Sequence, residues 1–273
     1  MQISGVQENR VIVSFADGIA DVRLNRPDKR NALDDALFQS LAAVGEALKT
    51  LSGLRAVVLS GEGDSFCAGL DFGSFKGMAS RTDTASTSTI GTVTAQGITH
   101  LAQQVCWVWQ ELPVPVIAAL HGHALGGGLQ IALGADIRIA HPHTQLSVRE
   151  TFWGLIPDMT GTLLLSHLVR PDVARELVYT ARLVQADEAH TLGLVTHLAE
   201  TPLAMAQALA VEIAGRSPDA VRAAKRLLTR TLKQEAAAQF AAEREEIYRL
   251  IGSPNQNEAV RAYFEKRSPV FKD

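Results

Sequence analysis

The chain has 273 residues, 47% of them hydrophobic, and a formal net charge of -3, enough to bury a large core in one or two domains. A near-neutral balance without a basic stripe argues against nucleic acid as the main partner. No apolar run reaches membrane-spanning length, and the acidic first twenty residues do not resemble a signal peptide, so the expected setting is the cytoplasm.

In chain order, Val11-Ile12-Val13 and the alternating Ala20, Val22 and Leu24 predict two strands around an Ala16-Asp17-Gly18 turn. Asn31 is expected as the N-cap of a helix whose apolar face carries Leu37, Leu41, Val44 and Leu48. Val57-Val58-Leu59 reads as a buried strand, and a loop follows from Gly61 to about Gly77. The segment from Ser80 to Gly91 is polar, small and aperiodic, and is expected to be mobile. A helix with Ile98, Leu101, Val105, Val108 and Leu112 on one side comes next.

The third round is the strand Val116 to Leu120, the glycines Gly126 to Gly128, and a helix opening at Leu129. Glycine there lets backbone approach backbone or ligand closely, and a helix start leaves unpaired N–H groups, so this turn is a candidate main-chain anion site. It fits neither GxGxxG with a following acid nor GxxxxGK[ST], so the anion is not assigned to a nucleotide by motif. Further short strands are expected at Ile137 to Ile139 and Leu146 to Val148. Three strand-then-helix rounds point to a repeating α/β core, and from Thr201 only helical spacing is found, as in Met205, Leu209, Ile213, then Val221, Leu228, Leu232, then Phe240, Ile247 and Ile251.

Cys67 and Cys106 are too few for a disulfide framework, and nothing supplies Cys67 with a base, so both read as unreactive thiols. His121, His123, His141 and His143 lack the acidic or cysteine partners of a metal motif, and no metal site is expected.

Six segments in order, NRPDKRNAL from Asn25, GDSFCAGLD from Gly63, PVIAALHGHALGGG from Pro115, ADIRIA from Ala135, ETFWGLIPD from Glu150 and YFEKRSPVF from Tyr263, resemble the enoyl-CoA hydratase/isomerase (crotonase) superfamily over nearly the whole chain. The resemblance implies an α/β spiral of repeated ββα units over residues 1–200 and a C-terminal helical region over 201–273 that assembles homotrimers, often paired into hexamers. It implies an acyl-CoA thioester as substrate, with coenzyme A arriving as part of that substrate and no separate cofactor. It also implies an oxyanion hole made by the N–H groups of Leu70 and Gly127. Two fixed donors stabilise an enolate oxygen more than a neutral thioester, and losing one costs roughly 3 to 4 kcal/mol of barrier in comparable sites. The CoA moiety would lie along Cys67, Ala68 and Asp71, near the cations Lys29 and Arg30, with Lys266 at the position where some members use a lysine for the nucleotide.

Hydratases of the family carry two glutamates, one two residues beyond the glycine turn and one twenty later. Those positions are Gln130 and Glu150 here. An amide cannot transfer protons as an acid-base catalyst, whereas one carboxylate suffices to move a double bond. The expected reaction is therefore isomerisation of an unsaturated acyl-CoA with Glu150 as shuttle. Asp158, where dienoyl-CoA isomerases place an aspartate, is expected as the assistant of Glu150 or a second base, or as a helix N-cap. Hydration by Glu150 and Asp158 is the alternative within enzymes, and a non-catalytic CoA-ester binding protein is the alternative outside them. Phe75, Trp107, Trp153 and Met159 are candidates to line the acyl pocket.

Overall fold

In the computed structural model, residues 2–71, 73 and 97–272 are described; the Ser80 to Gly91 segment and Phe75 lie outside them. Strands β1 (Val11–Ala16) and β2 (Ile19–Leu24) form an antiparallel hairpin in which Val13 pairs with Val22. Asp17 and Gly18 both have positive φ at its turn, the conformation that matches the twist of a two-residue hairpin. Strands β3 (Ala56–Gly61), β4 (Val116–Leu120), β6 (Ile137–Ala140) and β9 (His197–Leu198) continue the sheet in parallel, in the order β1-β2-β3-β4-β6-β9. The runs AVVLSG and VIAAL are apolar on both sides because this sheet is covered on both faces.

One face buries Val57, Leu59, Val116, Ala118 and Leu120 with helices α1 (Asp35–Lys49) and α2 (Leu101–Glu111). Gly45 lets α1 and α2 approach, since a Cβ there would lie 2.4 Å from Val108 Cγ2. The opposite face buries Val58, Ile117, Ala119 and Ile139 under Ala206 and Ala210 of α7 (Pro202–Ala214), so the first helix of the C-terminal stretch is part of the sheet's own packing. The expected face of Leu37, Leu41, Val44 and Leu48 is fully buried, but the N-cap of α1 is Asp34, whose carboxylate accepts from Leu37 N, and not Asn31. Asn31 is in the left-handed region and ties loops together: its Oδ1 accepts from Arg26 N, and its Nδ2 donates to Glu62 O and Ser65 O. Helix α2 starts at Leu101 with His100 as N-cap, which leaves Ile98 outside it and exposed.

A second sheet of three short strands, β5 (His123–Leu125), β7 (Gln145–Ser147) and β8 (Val184–Gln185), lies beyond the C-terminal end of β4. Between β5 and β6 runs α3 (Gly127–Leu133). After β7 come a 3₁₀ turn (Glu150–Trp153), α4 (Gly161–Leu168), α5 (Pro171–Thr180) and α6 (Ala186–Leu192). Helices α8 (Pro218–Leu228), α9 (Arg230–Leu250) and α10 (Pro254–Phe264) complete the chain. The expected apolar row through Leu228 is broken there: α8 ends and Leu228 is 85% exposed. No helix among the described residues is long and apolar enough to cross a membrane.

Candidate active site

The glycine turn meets the loop from Cys67 to Asp71 through main-chain bonds. Cys67 N donates to His123 O and Leu125 N to Cys67 O, while Leu33 N donates to Gly69 O and Asp71 N to Leu33 O. Because Leu33 bonds to the residues on either side of Leu70, the N–H of Leu70 points away from Leu33 and toward the opposite side of the loop. Gly127 is the first residue of α3, so its N–H has no partner within the helix. The two segments are in close contact: a Cβ on Gly69 would lie 2.7 Å from Leu125 O and 3.9 Å from Gly127 N, and one on Gly128 would lie 2.3 Å from Cys67 O. Glycine at 69 and 128 is thus a condition of the approach, and at Gly69 the φ of 93° requires it independently.

Glu150 reaches the same turn from the second sheet. It follows β7 in a 3₁₀ turn closed by Gly154 in the left-handed region, and a Cβ on Gly126 would sit 3.2 Å from its Oε1. Oε1 accepts from Gln130 Nε2 at 2.6 Å; Oε2 is buried and has no hydrogen-bond partner among the described residues. Burial, only partly offset by the hydrogen bonds from Gln130 and the local backbone, pushes the Glu150 carboxyl up to about 7.

Gln130 is fully buried, and its role is set by the backbone. Its Oε1 accepts from Met159 N at 2.9 Å and from Gly161 N at 3.0 Å. Two N–H donors fix that atom as the oxygen, so the NH₂ group faces Glu150 and can only donate to it. A Cβ on Gly161 would lie 2.5 Å from Gln130 Oε1, which is why the turn carries glycine there.

Asp158, half-buried, precedes this turn, and its carboxyl is pushed up to about 8, first by burial and then by the negative charges of Glu243 and Glu150. It is not the N-cap of α4; Thr160 holds that position, in the left-handed region (φ 70°) and with no side-chain capping bond. The α4 amides go elsewhere: Thr160 N and Thr162 N donate to Glu243, a buried acid of α9 for which the sequence offered no signal beyond a glutamate on an amphipathic helix.

The positions expected to bind CoA separate into two kinds. Cys67 and Ala68 form the loop wall, with the buried Cys67 thiol donating to Asn31 O and pushed up to about 12 by burial. Lys29 and Arg30 are exposed on a 3₁₀ turn (Pro27–Lys29), and Arg30 O accepts from Ala68 N, which brings both cations to the rim of that loop. Asp71 instead pairs with Arg26 at 2.8 Å and accepts from Gly73 N, so its carboxylate is engaged in holding the loop. Lys266 is exposed just past α10, whose Tyr263 packs on Trp153 with ring centroids 4.7 Å apart; no contact joins it to the Cys67 loop among the described residues. Of the lining candidates, Met159 approaches Gly127, with its Sδ 2.9 Å from a Cβ built there, while Trp107 is buried edge-on against Phe240. The histidines are turned to local partners, His123 Nδ1 to Ser65 Oγ and His121 Nε2 to Gly63 O, and no group of three metal-ligating side chains occurs among the described residues.

The family model of enoyl-CoA hydratase/isomerase matches residues 14–273. A short-chain-enoyl-CoA hydratase of Clostridium acetobutylicum is 33% identical, over 95% of this chain and 96% of its own. An enoyl-CoA isomerase/hydratase of Mycosarcoma maydis is 32% identical, over 93% of this chain and 92% of its own. A crystal structure of an enoyl-CoA hydratase/isomerase from Pseudoalteromonas atlantica T6c superposes with a TM-score of 0.84 at 29% identity, covering 97% of this chain and all of that one (100%).

Proposed function

We propose that this chain, which belongs to the enoyl-CoA hydratase/isomerase family, moves a double bond in an unsaturated acyl-CoA thioester, with Glu150 carrying the proton from one carbon to another. The observation that carries the reading is the Gln130 amide, locked by Met159 N and Gly161 N so that it donates to Glu150 and leaves a single carboxyl against the glycine turn.

The chemistry follows from that arrangement. Glu150 in its ionised form takes a proton from the carbon next to the thioester carbonyl. Electrons move onto the carbonyl oxygen, giving an enolate whose charge the N–H groups of Leu70 and Gly127 stabilise. The protonated Glu150 then returns the proton at the far carbon. A carboxyl held near 7 suits both halves, because the same group must accept and donate within one turnover. Gln130 Nε2, bonded to Oε1, turns the unpartnered Oε2 into the atom that handles the proton. Coenzyme A enters with the substrate along Cys67 and Ala68, its phosphates meeting Lys29 and Arg30.

A second reading, hydration, draws on Asp158, an acid held protonated near neutrality that could deliver a proton while Glu150 activates water. Purified protein is to be assayed for double-bond migration and for hydration on short and medium enoyl-CoAs, alongside Glu150→Gln. Migration lost in the variant supports the isomerase. A stable 3-hydroxyacyl-CoA as main product selects hydration, and equal rates in parent and variant remove Glu150 from either mechanism.

A further inference from the structure

We infer that Glu243, on helix α9 of the C-terminal region, is a positioning residue for the Glu150 proton site, acting through the strained turn at Thr160 and the amide of Gln130. The inference rests on the reading of Glu150 as the proton shuttle.

Four successive amides of the turn that opens α4 are shared between two buried side chains in alternation. Met159 N and Gly161 N donate to Gln130 Oε1, and Thr160 N and Thr162 N donate to the Glu243 carboxylate at 3.0 and 3.2 Å. The remaining contacts of Glu243 are donors too. Thr162 Oγ1 receives a hydrogen bond from Gln239 Nε2 and so gives its own proton to Glu243. Gln103 Oε1 is occupied by Arg244 and by His100 N, which leaves Gln103 Nε2 to donate at 3.1 Å. A side chain at 2% exposure met by four donors is built for an acceptor on both oxygens, and a glutamine there would face at least one donor with its own NH₂.

Between the two acceptors stands Thr160 at φ 70°, a conformation that a β-branched residue avoids. Its own hydroxyl is buried without a partner, so the side chain does not secure the turn. The amide bonds on either side do. Without Glu243 the turn relaxes toward an ordinary φ, Met159 N and Gly161 N leave Gln130, and its amide is free to rotate and present oxygen to Glu150 instead of NH₂. The proton site then loses its defined geometry although no atom of Glu243 touches it.

The test compares parent, Glu243→Gln and Glu243→Gln/Thr160→Gly by amide hydrogen exchange and by isomerase kinetics on an unsaturated acyl-CoA. In folded Glu243→Gln, exchange at Met159 and Gly161 rises at least tenfold relative to amides of β3 and β4, and kcat falls about tenfold or more with KM within twofold. Glycine accepts the left-handed turn without a clamp, so the double variant recovers to within threefold of the parent in both readouts. If Glu243→Gln does not fold, the double variant decides alone by the same threefold criterion, and a loss beyond threefold overturns the inference. Unchanged exchange at Met159 and Gly161, or unchanged kcat, in folded Glu243→Gln also overturns it. Failure of the Glu150 reading is distinguishable, because it shows as an active Glu150→Gln variant while the exchange result stands by itself.

Discussion

The two ends of strand β4 carry acids under opposite conditions. At its start, Asp136 Oδ2 accepts from Val116 N at 2.7 Å and from Lys225 Nζ at 2.8 Å, and that ammonium also donates to Trp109 O and Val114 O. Both charges of this pair have partners. Beyond its other end, Glu150 has one donor on Oε1 and none on Oε2. In a parallel sheet the loops at the C-terminal ends of the strands are where ligands bind, and the contrast shows how the fold divides its polar groups. The satisfied pair fixes helix α8 to the core, and the under-satisfied carboxyl is the one that the proposed reaction uses.

The largest effect should come from removing the under-satisfied group. Glu150→Gln is expected to lower kcat for double-bond migration by roughly 10² to 10⁴, the range for a positioned acid-base group. In the parent, kcat/KM should rise as pH increases through about 7, where Glu150 becomes the base, and fall above about 8 if Asp158 must stay protonated. Since each carboxyl raises the other's cost of ionising, the two limbs belong to the pair. A flat profile from pH 6 to 9 would contradict the assignment of Glu150.

At the satisfied end the expectation is reversed. Lys225→Met leaves Asp136 and two carbonyls without their donor, and should cost about 3 kcal/mol in urea unfolding, at the low end for a broken buried pair because Asp136 keeps some solvent. The kcat of the folded variant should equal that of the parent. A stable Lys225→Met protein would show that the charge pair contributes nothing beyond its desolvation cost.

The comparison sharpens in a single variant. The folded-state pKa of Glu150 is raised above its unfolded value of 4.5, so the native state holds this proton more tightly and its contribution to stability is full below about 4.5 and lost as pH rises through about 7. Glu150→Gln carries no such loss, and its amide oxygen can still accept from Gln130. It should therefore be more stable than the parent at pH 8 by on the order of 2 to 3 kcal/mol, and little different at pH 4.5, by denaturant titration at both values. Less stability at pH 8 would mean the ionised carboxylate is better solvated than its surroundings indicate.

How much of this the sequence disclosed depended on range. Alternation in Ala20, Val22 and Leu24, the two-sided apolar runs of β3 and β4, and the Gly126–Gly128 run are local signals; the structure has strands at the first three and, at the glycines, a helix that opens at Gly127 and not at Leu129. The family resemblance, counted from the glycine turn, pointed to Gln130 and Glu150, and it read Gln130 as a lost acid that can still hydrogen-bond, without saying to what. Its hydrogen bonds to Met159 and Gly161 depend on a turn whose path no local pattern encodes. In sequence Lys225 is one of several cations on its helix and Glu243 one of several acids on the next; burial of both is decided by where α8 and α9 pack. Asn31 was placed by its type at a helix start, where Asp34 was the residue adjoining the apolar period, and its true partners are loop carbonyls more than thirty positions away.

The smallest effect concerns the rim. Lys29 and Arg30 are exposed, and charge contacts in water are worth at most about 1 kcal/mol each. Replacing both by alanine should raise KM for an acyl-CoA several-fold and leave kcat unchanged, since neither residue reaches Glu150 or the glycine turn. The difference should shrink between 0.05 and about 0.5 M salt, because screening weakens an exposed phosphate contact in the parent and has nothing left to weaken in the variant. With a pantetheine thioester, which lacks the nucleotide phosphates, parent and variant should match at every salt concentration. A KM difference that persists with the truncated substrate would mean that the turn acts by shaping the Cys67 loop, through the bond from Ala68 N to Arg30 O, and not by its charge.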